Sequence, residues 1–217
     1  MKNMQGKIPI ILSIALAATM IVLSAGKLKG WEGKMRSCGF LMVGLYLLWL
    51  LAEASVAIGE INRERTSSDQ GTCEWYALGR AATIITALTL PTRWTASGLW
   101  IPVGIGLFLS GIGVRLWAIR CLGPSYSHRI RPVESHRIIA SGPYRVIRHP
   151  AYSGMLLSHT GFVIFFFNWI SLASLIGVFL PAILRRIVVE ERILLTTSNQ
   201  SYRDYSQGRK KLIPFVW

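Results

Sequence analysis

Between Ser141 and Gly154 the chain reads Ser-Gly-Pro-Tyr-Arg-Val-Ile-Arg-His-Pro-Ala-Tyr-Ser-Gly, crowding two arginines, a histidine, two tyrosines and two prolines against a long apolar segment. Polar groups this dense at the edge of an apolar run point to a site. Further on come Arg186 and Glu190, four residues apart, which on a helix share a face and can pair. On a soluble helix such a pair is a solvated bridge. Here it follows directly on the apolar arm Trp169–Leu184, where ionisable groups are functional by default. A guanidinium can hold a carboxylate through two parallel hydrogen bonds, and a glutamate can take a proton from an amine or a thiol. Upstream, Leu122–Ser127 and the stretch on to Gly142 contain Pro124, Pro132 and Pro143, which lack a donor, and Gly123 and Gly142, which permit tight turns. That composition predicts a non-helical connector with backbone N–H and C=O groups free for a ligand. Pro150 suits the first turn of a helix, with His149 just before it and Tyr152 and Gly154 in the turn that follows. Tyr202-x-x-Tyr205 puts two rings on one helix face, and Ile213-Pro-Phe-Val-Trp217 can return apolar bulk to a membrane interface as a closing lid.

The elements that must position these residues are membrane helices. The chain has 217 residues, 52% of them apolar, and eight tryptophans, too apolar for an ordinary soluble globule. Ile8–Ala25, Cys38–Gly59 and Gly98–Ile119 each approach the ~20 apolar residues needed to cross a bilayer. Trp75–Leu90 is shorter and carries Arg80, so it either spans with a snorkelling arginine, the reading favoured here, or lies at the interface. Ala151–Leu184 leaves and returns as a helical hairpin, with arms Ser153–Phe167 and Trp169–Leu184 and Asn168 at the bend. The expectation is an all-α integral membrane protein of five or six transmembrane helices. Residues 1–119 form the N-terminal helices, and residues 120–217 hold the connector, the hairpin 151–184 and the lid. The first apolar run follows Lys2 and Lys7 with no Ala-x-Ala cleavage site behind it, and reads as a retained helix. Gly104-x-Gly106 and Gly111-x-Gly113 lie inside an apolar helix with no strand before them, which excludes a dinucleotide fingerprint. Gly106, Ser110 and Gly113 read instead as small residues that admit a neighbouring helix.

The net charge of +14 is concentrated. Residues 120–150 carry Arg120, Arg129, Arg131, Arg137, Arg145 and Arg148 against the single acid Glu134, and the tail carries Arg203, Arg209, Lys210 and Lys211. Arginines flanking spans stay on the cytoplasmic side, which puts connector, tail and active site there and favours contact with anionic lipid headgroups. The loop Lys27–Ser37 has four basic residues and Glu60–Glu74 has two, so charge counting leaves the N-terminal topology open between five and six helices. Arginines separated by apolar spans make a poor nucleic-acid surface. Cys38, Cys73 and Cys121 show no C-x-x-C spacing, and neither a metal site nor a disulfide framework is expected.

Gly142-Pro-Tyr-Arg, Arg148-His-Pro-x-Tyr-x-Gly154, Glu190-Glu191 and Tyr202-x-x-Tyr205 with Ile213-Pro214 together resemble the isoprenylcysteine carboxyl methyltransferase family and its phospholipid methyltransferase relatives. The resemblance covers roughly residues 115–217. It implies a membrane methyltransferase that takes a methyl group from S-adenosylmethionine and delivers it to a lipophilic or lipidated acceptor, an isoprenylcysteine carboxylate first of all. It also assigns roles. Leu122–Ser127, His136, Gly142, Pro143 and Tyr144 wrap the cofactor, His149 and Tyr152 contact it, and Arg148 anchors charge near its carboxylate. Arg186 positions the acceptor, Glu190 is a cofactor-side or catalytic group, and Tyr202 belongs to the closing tail. Arg185 competes for the arginine role at a spacing less suited to pairing with Glu190. One departure is Ser198-Asn199, where the family usually carries an aromatic-glycine pair; asparagine tolerates the left-handed turn, but the aromatic is lost. Phospholipid amines and small thiols are the alternative acceptors. An NADPH-dependent sterol reductase shares an Arg-His-Pro-x-Tyr-like motif, but usually with Asn where Ala151 stands and in a longer chain.

Overall fold

The computed structural model describes residues 2–61, 70–93, 98–127, 138–197 and 199–214. His136 and the middle of the connector lie outside them, as does Ser198 of the departure noted above. The helices are α1 Lys2–Lys29, α2 Gly33–Ile61, α3 Thr72–Thr89, α4 Trp100–Leu122, α5 Pro150–Phe165, α6 Trp169–Ser174, α7 Leu180–Thr197 and α8 Asn199–Ser206. α6 runs into α7 through one π-helical turn, Leu175–Phe179. Outside the helices, the chain pairs Ile147 with Lys210 as a parallel bridge.

Among the described residues, four stretches are long and apolar enough to cross a membrane: Ile10–Lys29, Gly33–Ala54, Trp100–Leu122 and Trp169–Thr197. α3 and α5 are shorter and pack among them. At the end remote from the connector, Lys27 Nζ donates to the carbonyl of Leu90, the C-cap of α3, at 2.5 Å. The same ammonium lies 5.9 Å from the Trp31 ring and 5.8 Å from that of Phe166. One of the four basic residues that confuse charge counting is therefore a structural cap. At that end too, Arg93 N–H bonds the Phe167 carbonyl at 2.8 Å. Asn168 caps α6, its side chain accepting from Ser171 N–H at 2.8 Å.

Arg80 does not snorkel and does not sit at an interface. α3 packs on α1, α5, α6 and α7, and Arg80 is 7% exposed with NH1 3.4 Å from Glu53 Oε2 on α2. A shorter contact ties the other Glu53 oxygen to Arg115 Nε on α4. Inside an apolar bundle a paired charge is far cheaper than a lone one, and that outweighs the reach of arginine to the surface.

α4 and α5 press together through glycines, though not the expected ones. A Cβ on Gly111 would stand 2.6 Å from the Gly154 carbonyl oxygen, and a Cβ on Gly154 would stand 2.6 Å from that of Gly111. Gly104 meets Gly161 in the same way, whereas Gly106 and Gly113 have nothing within 4 Å. Both stripes have helical spacing; the glycines on α5 decide which one is used. Behind this seam an aromatic core of Tyr46, Phe108, Phe162, Phe166 and Phe179 closes around His159. His159 must donate Nδ1–H to the Met155 carbonyl at 2.8 Å, which leaves Nε2 to accept from Tyr46 OH at 2.8 Å.

The second arm of the hairpin runs to Thr197 without a break at Leu184. Pro181 cannot donate to the Gly177 carbonyl, and the π turn just before it absorbs that lost bond. One extra residue rotates the rest of the helix by about 100°. In that phase Arg186 faces inward, 4% exposed, while Arg185 faces out.

Candidate active site

The connector ends in a 3-10 turn, Gly142–Arg145. Gly142 has φ +58°, and a Cβ there would stand 2.6 Å from Cys121 Sγ and 3.3 Å from Trp117 Nε1. Glycine is thus required both by the backbone and by the contact with α4. Pro143 and Tyr144 follow buried, with the Tyr144 ring seated against Ala118 and Ala151. The tail grips this turn from outside: Tyr205 OH donates to the Tyr144 carbonyl at 2.9 Å and Arg209 Nε to that of Arg145 at 3.3 Å.

The tail then runs beside residues 147–149 like a strand. Arg148 N–H bonds the Lys210 carbonyl at 2.8 Å, His149 N–H bonds that of Lys211 at 2.9 Å, and Ser153 Oγ donates to the Leu212 carbonyl at 2.6 Å. α5 starts at Pro150, where the missing donor costs nothing.

Glu191, the second acid of the Glu190-Glu191 pair, joins these pieces. Its Oε1 lies 2.8 Å from Arg148 NH1 and 3.1 Å from His149 Nε2, and its Oε2 lies 3.2 Å from Lys211 Nζ. A carboxylate only accepts, so His149 Nε2 carries the proton. Tyr202 OH reaches the same carboxylate at 3.4 Å. Burial pushes the Tyr202 phenol up, and the Glu191 charge adds to the effect, so it stays a neutral donor. Burial likewise raises Tyr205, to about 12.

Deeper in, Tyr152 OH accepts from Arg186 Nε at 2.8 Å and donates to Glu190 Oε2 at 2.8 Å. The expected Arg186–Glu190 partnership is therefore mediated by a tyrosine from α5. Arg186 NH1 also donates to Thr72 Oγ1 of α3 at 3.3 Å. Below it, Arg115 donates from NH1 to the Ala151 carbonyl at 3.2 Å and from NH2 to Tyr126 OH at 3.1 Å, holding the first turn of α5 and the start of the connector. Reading the sequence missed Glu53, Thr72 and Arg115; an acid in one apolar span and an arginine in another were the available signal.

One group remains unsatisfied beside the turn: Arg148 Nε is buried with no partner among the described residues. An unfilled guanidinium donor beside the Gly142–Arg145 turn suits a ligand that carries a carboxylate.

Known proteins resemble parts of this chain in sequence and its fold in structure. Residues 104–196 match the model of the isoprenylcysteine carboxyl methyltransferase family, the resemblance read from the sequence. Protein-S-isoprenylcysteine O-methyltransferase B of Arabidopsis thaliana is 32% identical over 120 residues, 54% of this chain and 61% of that protein. Protein-S-isoprenylcysteine O-methyltransferase A of the same plant is 28% identical over 150 residues, 65% of this chain and 74% of its own length. The chain thus spans about three-fifths of the first of these relatives. A solved eukaryotic intramembrane Ras methyltransferase, described as an isoprenylcysteine carboxyl methyltransferase, shares the fold with a TM-score of 0.59 and 21% identity, covering 99% of this chain and 81% of that one.

Proposed function

We propose that the chain is an integral-membrane methyltransferase that transfers a methyl group from S-adenosylmethionine to the carboxylate of an isoprenylcysteine-type acceptor. The observation that carries this reading is the relay Arg186–Tyr152–Glu190, set at the mouth of the bundle inside the segment that matches the family. Bound there, S-adenosylmethionine would supply a methyl already activated by its sulfonium, so the protein's task is alignment and exclusion of water. Arg148 Nε, His149, the Gly142–Tyr144 turn and the lid residue Tyr202 would hold it, with Glu190 on the cofactor side. Arg186 orients the acceptor carboxylate, which is ionised at neutral pH and needs no base. Tyr152 fixes the guanidinium, and Glu190 balances its charge. The acceptor enters laterally between helices. Connector and tail lie at one end of the bundle, and their arginines and lysines favour the cytoplasmic face for it.

The test uses purified protein in nanodiscs. Calorimetry should register S-adenosylmethionine and its demethylated product, and radiolabelled methyl should pass to a prenylcysteine in preference to phosphatidylethanolamine or a small thiol. Binding of NADPH with no response to either sulfur ligand would refute the reading. Transfer to phosphatidylethanolamine or thiol alone would keep the chemistry and change the acceptor.

A further inference from the structure

α3 turns toward the site a face on which Thr72, Tyr76 and Arg80 stand one helical turn apart. Thr72 accepts from Arg186 and Arg80 pairs with Glu53, so the outer two are engaged. Tyr76 lies between them. Its ring centroid is 6.4 Å from that of Tyr152 and 5.5 Å from that of Phe179, and the Arg186 guanidinium sits 5.8 Å from the ring. Yet its hydroxyl, sealed from solvent, has no hydrogen-bond partner among the described residues. Buried hydroxyls are satisfied as a rule, and an exception calls for a cause. Cations line the same column: Arg80 and Arg115 hold Glu53, and Arg186 bonds Tyr152 and Thr72. An orphan donor beside a guanidinium is complemented by an anion.

We propose that Tyr76 is an acceptor-binding residue, whose hydroxyl donates a hydrogen bond to the acceptor carboxylate that Arg186 also holds. This rests on the methyltransferase reading and deepens it, because it gives α3 a part in choosing the acceptor. An amine arriving as a cation would meet the Arg186 guanidinium and a donor already facing it. A thiol would leave the phenol with only a weak acceptor. A carboxylate satisfies Tyr76 and meets the Arg186 guanidinium with the opposite charge.

Tyr76→Phe tests this cleanly, since deleting an unpartnered hydroxyl leaves no other group unsatisfied. In nanodiscs the variant should melt at or above the parent's Tm and bind S-adenosylmethionine with the parent's Kd. Its KM for a prenylcysteine should rise about ten-fold or more, the loss typical of a hydrogen bond to a charged group. Competition between the prenylcysteine and its carboxamide supplies a second readout. The parent should prefer the carboxylate, and the variant should lose that preference by the same factor. A KM and a carboxylate preference equal to the parent's would overturn the assignment. So would a fall in Tm with unchanged KM, because the hydroxyl would then be a structural partner. If the parent binds the cofactor but methylates no prenylcysteine, the proposed function itself fails, and the assignment of Tyr76 falls with its ligand.

Discussion

Replacing Tyr152 by phenylalanine separates two accounts of that residue, because the family resemblance gives it to the cofactor while the geometry gives its hydroxyl to Arg186 and Glu190 at 2.8 Å each. Phenylalanine preserves the ring beside Tyr76 and His149. What is lost is a pair of hydrogen bonds to charged groups, each worth roughly 1.5–3 kcal/mol. Arg186 keeps its bond to Thr72, so the buried guanidinium is not stranded and the fold should survive. Turnover should suffer more than stability. Without the bridging oxygen the guanidinium can swing toward Glu190, and one bond's worth of orientation toward the acceptor disappears. At about 1.5–3 kcal/mol that is a fall in kcat of about 10–150-fold. Radiolabelled methyl transfer at saturating prenylcysteine reads kcat, and calorimetry reads the cofactor Kd, which should stay near the parent's. Adding Glu190→Gln to Tyr152→Phe should cost much less than the two single losses combined, since both act through one relay. A parental kcat in Tyr152→Phe, or a cofactor Kd raised ten-fold with kcat intact, would refute the relay and return the tyrosine to the cofactor.

Glu191→Gln should free the tail from Arg148, His149 and Lys211 and lower stability by about 2–3 kcal/mol, at or just below the range of about 3–5 kcal/mol for opening a buried ion pair because this one is partly wetted; limited proteolysis should then cut near residues 206–212 first. Glu190→Gln, assayed from pH 6 to 9, reports the acceptor class. A carboxylate acceptor should show a loss independent of pH, whereas an amine or thiol should show a fall of about 10²–10⁴-fold, eased as pH rises and solvent removes the proton. Gly111→Ala should destabilise the protein by about 1–3 kcal/mol by overpacking the α4–α5 seam, and Gly106→Ala, facing open space, should be neutral or mildly stabilising in the same thermal melt.

Long apolar runs made the helical class readable, since their length against bilayer thickness does not depend on neighbours. The places where reading failed are those where two distant segments meet. Arg80 was read alone, and alone an arginine in a span must snorkel; only Glu53, 27 residues earlier, lets it stay inside. Gly106 and Gly111 are equally small and equally helical in spacing, and the choice between them belongs to Gly154 on another helix. The end of the hairpin at Leu184 was drawn from apolar length, but α7 continues because Arg186, Glu190 and Glu191 find partners that hold them in a helix.

The same logic explains why the connector motifs were legible and the acceptor side was not. Gly142, Pro143 and Pro150 carry their meaning in the local backbone: a positive φ, a missing donor, a first helical turn. A resemblance built on such residues therefore falls in the stretch that matches the family model, residues 104–196. Acceptor choice has no such local grammar. On the proposed reading it depends on which side chains of α3 reach Arg186, and those are set by register across the bundle: Thr72 lies 114 positions from the arginine it bonds. α3 could be read only as a short apolar run with one awkward charge. In the folded chain its Thr72–Tyr76–Arg80 face is the wall opposite the relay. Under the proposed role of Tyr76, a substitution on that face would change acceptor preference while leaving Gly142, Pro143 and Pro150 in place.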